Sequence, residues 1–309
     1  MIKKFKIGAS ICFNRQLTGP YEVLLSISNK CSLNCLPCFN LPEREDLDLP
    51  TIKRLFDNLD SIKTTRVILA GSKDPLEHKD INELIKYAKT KKFEFGVISN
   101  LLVFENIEKI KQFDSILVSL LAVSKPVFSK VFLNRKFETQ KKAVDNLQKI
   151  KSKVRRISVT LFEQNYEDLL GFLELARKLS LPIYFNYAVT SHKPFLKIQN
   201  KKHFESLVKK GSVYSKEYHI KTNLQTLLLK RKIVPCYTGF WQSFIESNGD
   251  VFFCCRNPVI LGNIKTASFR KIWYSNAYDK LRKKRYSPGK CKYDECLLKS
   301  TNQRIANFF

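Results

Sequence analysis

Three thiols within eight residues set the first constraint on this chain. Cys31, Cys35 and Cys38 are spaced CxxxCxxC and follow the apolar run from Glu22 to Ser28. That run reads as a strand, so the thiols lie on a loop leaving its C-terminal end. Thiolates are soft ligands, and close spacing on a loop lets them converge on one metal centre. A four-iron cube is normally held by four Cys. Three thiols leave one iron without a protein ligand, open to a small molecule. The alternatives are a zinc site, or three unrelated thiols in a reducing compartment. Zinc sites more often show paired C-x2–4-C units with His or Cys as the fourth ligand.

A chain of 309 residues can hold one large domain and a small one. An apolar fraction of 44% with 12% aromatics belongs to a globular protein. No window has the ~18 uninterrupted apolar residues of a membrane span. The first six residues lack the apolar stretch of a signal peptide. A cytosolic location is the expectation, and there nine Cys argue for metal or catalysis rather than disulfides. Cys12 stands apart and reads as an ordinary small apolar residue. Cys236, Cys254, Cys255, Cys291 and Cys296 gather near the end. The net charge is +27, and 22 basic against 7 acidic residues follow position 200. Such a field favours an anionic partner: RNA, a phosphorylated or acidic small molecule, or an acidic peptide. Lysines on solvated helix faces account for the same composition without any partner.

The chain then alternates strands and helices. Residues 1–21 read as an N-terminal lead-in, with Gly19 and Pro20 as a breaker. Thr51 is expected to cap a helix carrying Ile52, Leu55, Phe56 and Leu59 at helical spacing. Further strands are expected over Arg66–Ala70, Phe93–Ser99, Ser115–Leu121, Arg156–Leu161 and Pro182–Tyr187. Helices are expected over Asn82–Thr90, Glu138–Ile150 and Tyr166–Leu179. Six strands alternating with helices imply right-handed β-α-β units and a parallel sheet. In parallel barrels the chemistry lies at the C-terminal strand ends. Residues 191–234 read as a basic, loosely patterned connection, with short helices near Phe204–Lys210 and Leu224–Lys230. A second unit begins at Pro235.

The cysteine spacing and six-strand count resemble the radical S-adenosylmethionine (AdoMet) superfamily. The resemblance implies a partial (β/α)6 TIM-like barrel over residues 22–190. It also implies a [4Fe–4S] cluster whose open iron chelates AdoMet. Reduction of that cluster releases a 5′-deoxyadenosyl radical in the family. Gly71-Ser72-Lys73-Asp74-Pro75 falls where the family carries a Gly-Gly-Glu-Pro-like motif. By resemblance, Ala70, Gly71, Ser72 and Asp74 would meet the methionyl amino group. Asp74 replaces the family's Glu, and Lys73 is unexpected there. Ser99 and Asn100 stand where relatives often show Thr-Asn-Gly. Ser119 resembles a Ser that contacts the AdoMet carboxylate or ribose, although the Asp of that pattern is replaced by Leu121 and Ala122. Asn134 and Arg135 fall where relatives carry an Arg-Gly pair, and Arg135 would bind the AdoMet carboxylate in a bidentate way. Asn165 resembles an Asn that precedes the next helix, as ligand contact or N-cap. Pro37 precedes the last cysteine, where relatives often have an aromatic residue. Phe39 would supply the adenine packing.

The segment Phe244–Phe253 reads as a β-hairpin with an Asn248-Gly249 turn. A hairpin joins its two ends, so Cys236 and Cys254 are able to reach one metal. This pattern resembles the SPASM/twitch appendage, over residues 235–309, which holds an auxiliary [4Fe–4S] cluster. Its implied ligands are Cys236, Cys254, Cys291 and Cys296. A structural zinc knuckle is the alternative. Cys255 is expected on a strand, facing the opposite way from Cys254, as a spare, a substitute ligand or a reactive catalytic thiol.

The resemblance implies an enzyme that abstracts hydrogen from a substrate and draws electrons from flavodoxin or ferredoxin. The substrate class is a peptide, a sugar or another anionic small molecule. Peptide crosslinking or epimerisation, and sugar-alcohol oxidation, are the outcomes that relatives suggest. With the barrel beginning by residue 22, no leader-binding domain is expected before it. RNA modification, or metal-dependent nucleic-acid binding without catalysis, is the alternative suggested by the basic tail.

Overall fold

Where a lead-in was expected, the chain begins with a helix, α1 (Ile2–Cys12). Ile7 and Ile11, four residues apart on one helical face, bury beside Tyr237, Phe240 and Trp241. Cys12, read as an ordinary small apolar residue, is exposed at the end of α1. The computed structural model describes residues 2–13, 15–28, 31–38, 45–71, 73–102, 107–132, 134–188, 193–228, 235–255, 259–285, 301–302 and 305.

Strand β1 (Glu22–Leu25) leads into the cysteine loop and then α2 (Leu49–Ser61). Asp48, rather than Thr51, caps α2. Its carboxylate accepts from the Thr51 backbone N–H at 2.8 Å and from the Thr51 hydroxyl at 2.9 Å. Pro50 fits the first turn because its missing N–H would have no partner there. The chain continues through β2 (Arg66–Leu69), α3 (Ile81–Ala88), β3 (Glu94–Ser99), α4 (Ile107–Ile110) and β4 (Ser115–Leu120). Next come α5 (Lys125–Val131), α6 (Phe137–Ile150), β5 (Val154–Leu161), α7 (Leu169–Leu179) and β6 (Ile183–Tyr187). The expected basic connection contains α8 (Lys201–Glu217), a helix of 17 residues that buries Phe204, Leu207 and Val208. After it come α9 (Thr238–Trp241), β7 (Gln242–Ile245), β8 (Asp250–Phe252), β9 (Ile260–Asn263), α10 (Phe269–Trp273) and α11 (Asn276–Arg285).

The chain divides into two compact units. The first contains Met1–Lys30, Pro42–Gly96 and Arg231–Phe309; the second contains Cys31–Leu41 and Val97–Lys230. In the first, β1 is the parallel neighbour of both β2 and β7. Strands β7, β8 and β9 then run antiparallel. A strand from the 235–309 segment therefore shares one sheet with β1. The apolar face of α2 supplies Ile52, Leu55, Phe56 and Leu59, all buried. Each contributes roughly 1.5–3 kcal/mol on burial. Phe56 meets Phe93 and Phe95 edge-on, with centroids 5.4 and 5.5 Å apart.

In the second unit, β4, β5 and β6 pair in parallel, with Ser119 beside Ser158 and Thr160 beside Asn186. Ile157, Val159, Leu161, Ile183 and Phe185 are buried. Alternate residues Ser119, Ser158, Thr160, Tyr184 and Asn186 are half-buried on the opposite face.

Candidate functional site

The cysteine loop belongs to the second unit, and bonds from that unit hold it along its length. Near its start, the Asn134 side chain accepts from the Asn34 N–H at 3.2 Å and donates to the Ser32 carbonyl at 3.0 Å. Arg135 donates to the Ser32 hydroxyl at 2.6 Å and to its carbonyl at 3.3 Å. In the middle, Cys35 forms an antiparallel bridge with Phe132, and Leu36 N–H donates to the Val131 carbonyl at 2.9 Å. The Lys193 ammonium donates to the Leu36 carbonyl at 2.9 Å. Cys31, Cys35 and Cys38 are half-buried thiols. Val131 and Phe132 end α5, a helix absent from the sequence reading. Ser124 caps it, accepting from Val127 N–H at 3.4 Å, and Asp168 accepts from the N–H groups of Val123 and Ser124. A Ser followed closely by Pro126 is the sequence signal that marks this helix start.

The other expected site residues of the second unit have definite local partners. Asn100 accepts from Leu102 N–H at 2.7 Å, and Ser99 accepts from Leu101 N–H at 3.0 Å. Leu101 stands at φ 61°, a left-handed conformation rare for a bulky residue, at the place of the family's glycine. Ser119 is half-buried on the polar face of β4. Asn165 is fully buried: it accepts from Phe162 N–H and donates to the Leu121 and Thr160 carbonyls. With all three bonds inside the fold, it ties the ends of β4 and β5 together and is not a side-chain N-cap.

In the first unit, Ala70 N–H extends the β1–β2 ladder to the Leu25 carbonyl at 2.9 Å. Gly71 lies so close to Ser26 that a Cβ there would stand 2.4 Å from the Ser26 hydroxyl. Asp74 is buried, and its carboxylate accepts from Leu76 N–H at 3.1 Å, starting the turn Pro75–Glu77. Ser72, Phe39, Cys291 and Cys296 lie outside the described residues.

The expected hairpin forms, with Phe244 opposite Phe252 and Gly249 at φ 91° in the turn. Cys236 and Cys254 flank it as half-buried thiols. Asn302 grips the first: its Nδ2 donates to Cys236 Sγ at 3.8 Å and its Oδ1 accepts from Tyr237 N–H at 3.1 Å. Burial pushes the Tyr278 hydroxyl pKa up, and the neighbouring Cys254 thiol adds to that push. Arg282 is fully buried between Trp273 and Tyr278, donating to the Gly239 and Trp273 carbonyls and pairing with Asp279. Desolvation draws its pKa down. Cys255 does not lie on a strand, as had been expected. Strand β8 ends at Phe252, and Cys255 sits exposed in the turn beyond it.

A family model described as Radical SAM superfamily matches residues 25–176, the stretch containing the three-thiol loop. The chain belongs to the radical SAM superfamily. A second model, Iron-sulfur cluster-binding domain (SPASM), matches residues 236–297. A curated relative, the AdoMet-dependent heme synthase of Methanosarcina barkeri, is 24% identical, over 88% of each chain. Streptococcus suis SuiB bound to S-adenosylmethionine superposes with TM-score 0.72 at 17% identity, covering 89% of this chain and 70% of that one. The structure described as native anSMEcpe with bound AdoMet and Cp18Cys peptide gives TM-score 0.64 at 14% identity, covering 90% and 86%. These likenesses give this radical SAM chain its fold class, a partial TIM-like barrel with a C-terminal SPASM domain containing strands. It is an enzyme of that superfamily, and its cofactors are a [4Fe–4S] cluster, AdoMet and an auxiliary cluster.

Among the described residues, no group of three or more His, Cys, Asp or Glu side chains is arranged so that it could hold a metal ion. A four-iron cube takes each thiolate at a different iron, so its ligands stand farther apart than those of one ion. The loop fits the cube by its donor set: three thiols, half-buried, on backbone fixed by five outside bonds. At the tail, half of the expected set, Cys236 and Cys254, is in view.

Proposed function

We propose that Cys31, Cys35 and Cys38 hold the AdoMet-binding cluster of a peptide-modifying radical SAM enzyme. When bound, the cluster supplies one low-potential electron for AdoMet cleavage and hence a hydrogen-abstracting radical. The observation that carries this reading is the three-thiol loop, clasped by Asn134 and Arg135 and bridged to Phe132. In this proposal Ala70, Gly71, Ser72 and Asp74 meet the amino end of AdoMet. Asn100, Ser119 and Arg135 meet its carboxylate or ribose, and Phe39 packs the adenine. Arg135 retains charge for a carboxylate while one of its nitrogens orients Ser32. Cys236, Cys254, Cys291 and Cys296 hold the auxiliary cluster. Electrons come from flavodoxin or ferredoxin. Exposed Cys255 presents Sγ–H as a hydrogen donor in an epimerisation.

A peptide is favoured by likeness to solved structures whose descriptions name a precursor peptide, SuiA, and the Cp18Cys peptide. A haem-precursor substrate is the second reading, favoured by the relative that matches 88% of each chain. The test supplies reduced, cluster-loaded enzyme and AdoMet with either a short peptide encoded beside the gene or a carboxylated tetrapyrrole. The peptide should stimulate 5′-deoxyadenosine release and change covalently. A product lighter by two hydrogens marks oxidation. Unchanged formula with one deuterium taken from heavy water, lost in C255A, marks epimerisation. Stimulation by the tetrapyrrole alone replaces the peptide reading with the second one.

A further inference from the structure

Lys193 and Leu36 are 157 positions apart in sequence, yet the ammonium meets the Leu36 carbonyl at 2.9 Å. Leu36 lies between Cys35 and Cys38, adjacent to the first and two residues from the second. Consecutive Cα atoms are about 3.8 Å apart, so the cation stands within a few ångströms of the two cysteines' backbone. The base of this lysine is itself fixed. Lys193 opens a 3₁₀ turn, and its carbonyl accepts from Leu196 N–H at 3.1 Å. The Leu196 carbonyl accepts from Glu163 N–H at 3.0 Å, and Phe195 is bonded by the Gln164 side chain. A solvated lysine would keep its rotamer freedom; this one gives it up. A charge-assisted bond to the loop carbonyl offsets that cost.

We infer that Lys193 is a positioning residue that fixes the Cys35–Cys38 segment and places a positive charge beside the cluster it holds. The inference rests on the proposed ligation by Cys31, Cys35 and Cys38. Reduction adds a negative charge to the cluster, and a nearby cation favours the more negative state. Arg135, bonded at Ser32, brings a further cation to the loop. Lys193 thus makes the one-electron reduction easier for a cluster that must work at low potential.

The test is a redox titration of the reconstituted full chain, read by electron paramagnetic resonance. It follows the signal that changes on adding AdoMet, which separates this cluster from the auxiliary one. K193M and K193Q should lower the reduced-to-oxidised ratio at fixed potential about tenfold, a shift of ~59 mV for one electron. K193R should titrate with the wild type. If K193M sheds iron, the comparison of K193Q with K193R decides the matter. The inference is overturned if K193Q titrates like the wild type, or if K193R falls as far as K193Q. A wild-type protein with no AdoMet-responsive signal overturns the ligation proposal beneath it instead.

Discussion

Asn134 accepts the backbone N–H of Asn34 at 3.2 Å, a bond that spans 100 residues and lands inside the CxxxCxxC loop. Its amide also donates to the Ser32 carbonyl. Each such bond is worth about 0.5–1.5 kcal/mol net. N134A should leave thermal stability within about 2 kcal/mol of the wild type. It should nevertheless lose iron from the three-thiol site several-fold faster under a chelator. An unchanged rate of iron loss would show that the loop holds its shape without this clasp.

Asn302 occupies the same place at the tail. It satisfies the buried Tyr237 N–H and touches Cys236 Sγ. N302A strands that N–H at a cost of about 1–3 kcal/mol. The melting temperature should drop, and Cys236 should become more reactive toward an alkylating agent in the metal-free protein. Wild-type alkylation kinetics would contradict this placement.

Gly71 is required by space. A methyl group there would press on the Ser26 hydroxyl at 2.4 Å. G71A should cost about 1–3 kcal/mol through this overpacking. Adding S26G should recover part of the loss, because the two sites are in contact and do not behave additively. Denaturant unfolding of the two single variants and the double variant measures the coupling.

All six strands expected before residue 190 were legible, because β-branched and aromatic runs alternate with helical spacing. Their ends moved by a few residues where local bonds decided. Asp48 took the cap from Thr51 because its carboxylate reaches both the Thr51 N–H and hydroxyl. Helix α1 was not foreseen, and α8 was foreseen only over Phe204–Lys210, the stretch that carries its buried Phe204, Leu207 and Val208; the lysines and polar residues on either side hid its full length of 17 residues. The thiol loop was plain from its spacing. Asn134 and Arg135 were singled out, but their bonds to Ser32 and Asn34 depend on folding. Lys193 and Asn302 were not legible at all. Each acts on a residue 157 or 66 positions away, and no local pattern carries that information.

Glu174 on α7 is held by Arg177, whose two hydrogen bonds at 2.8 Å are the main cause, and by the Tyr214 hydroxyl of α8. These draw its pKa from 4.5 down to about 2. A carboxylate lowered on folding adds stability above its unfolded pKa and loses it as pH falls through the folded value. The contribution should be complete above pH about 4.5 and fade toward about 2. E174Q should flatten the wild-type decline in melting temperature over that interval. Parallel declines for both proteins would contradict the assignment.

Among the described residues, no helix is long and apolar enough to cross a membrane. The central chemistry is tested on the purified chain. Anaerobic reconstitution with iron and sulfide, then dithionite and AdoMet, should release 5′-deoxyadenosine. The variants C31A, C35A and C38A should each abolish that release and lose about four irons per chain, one cube's worth. Release that persists in any of the three, or a wild-type chain that takes up zinc and leaves AdoMet intact, would contradict the account.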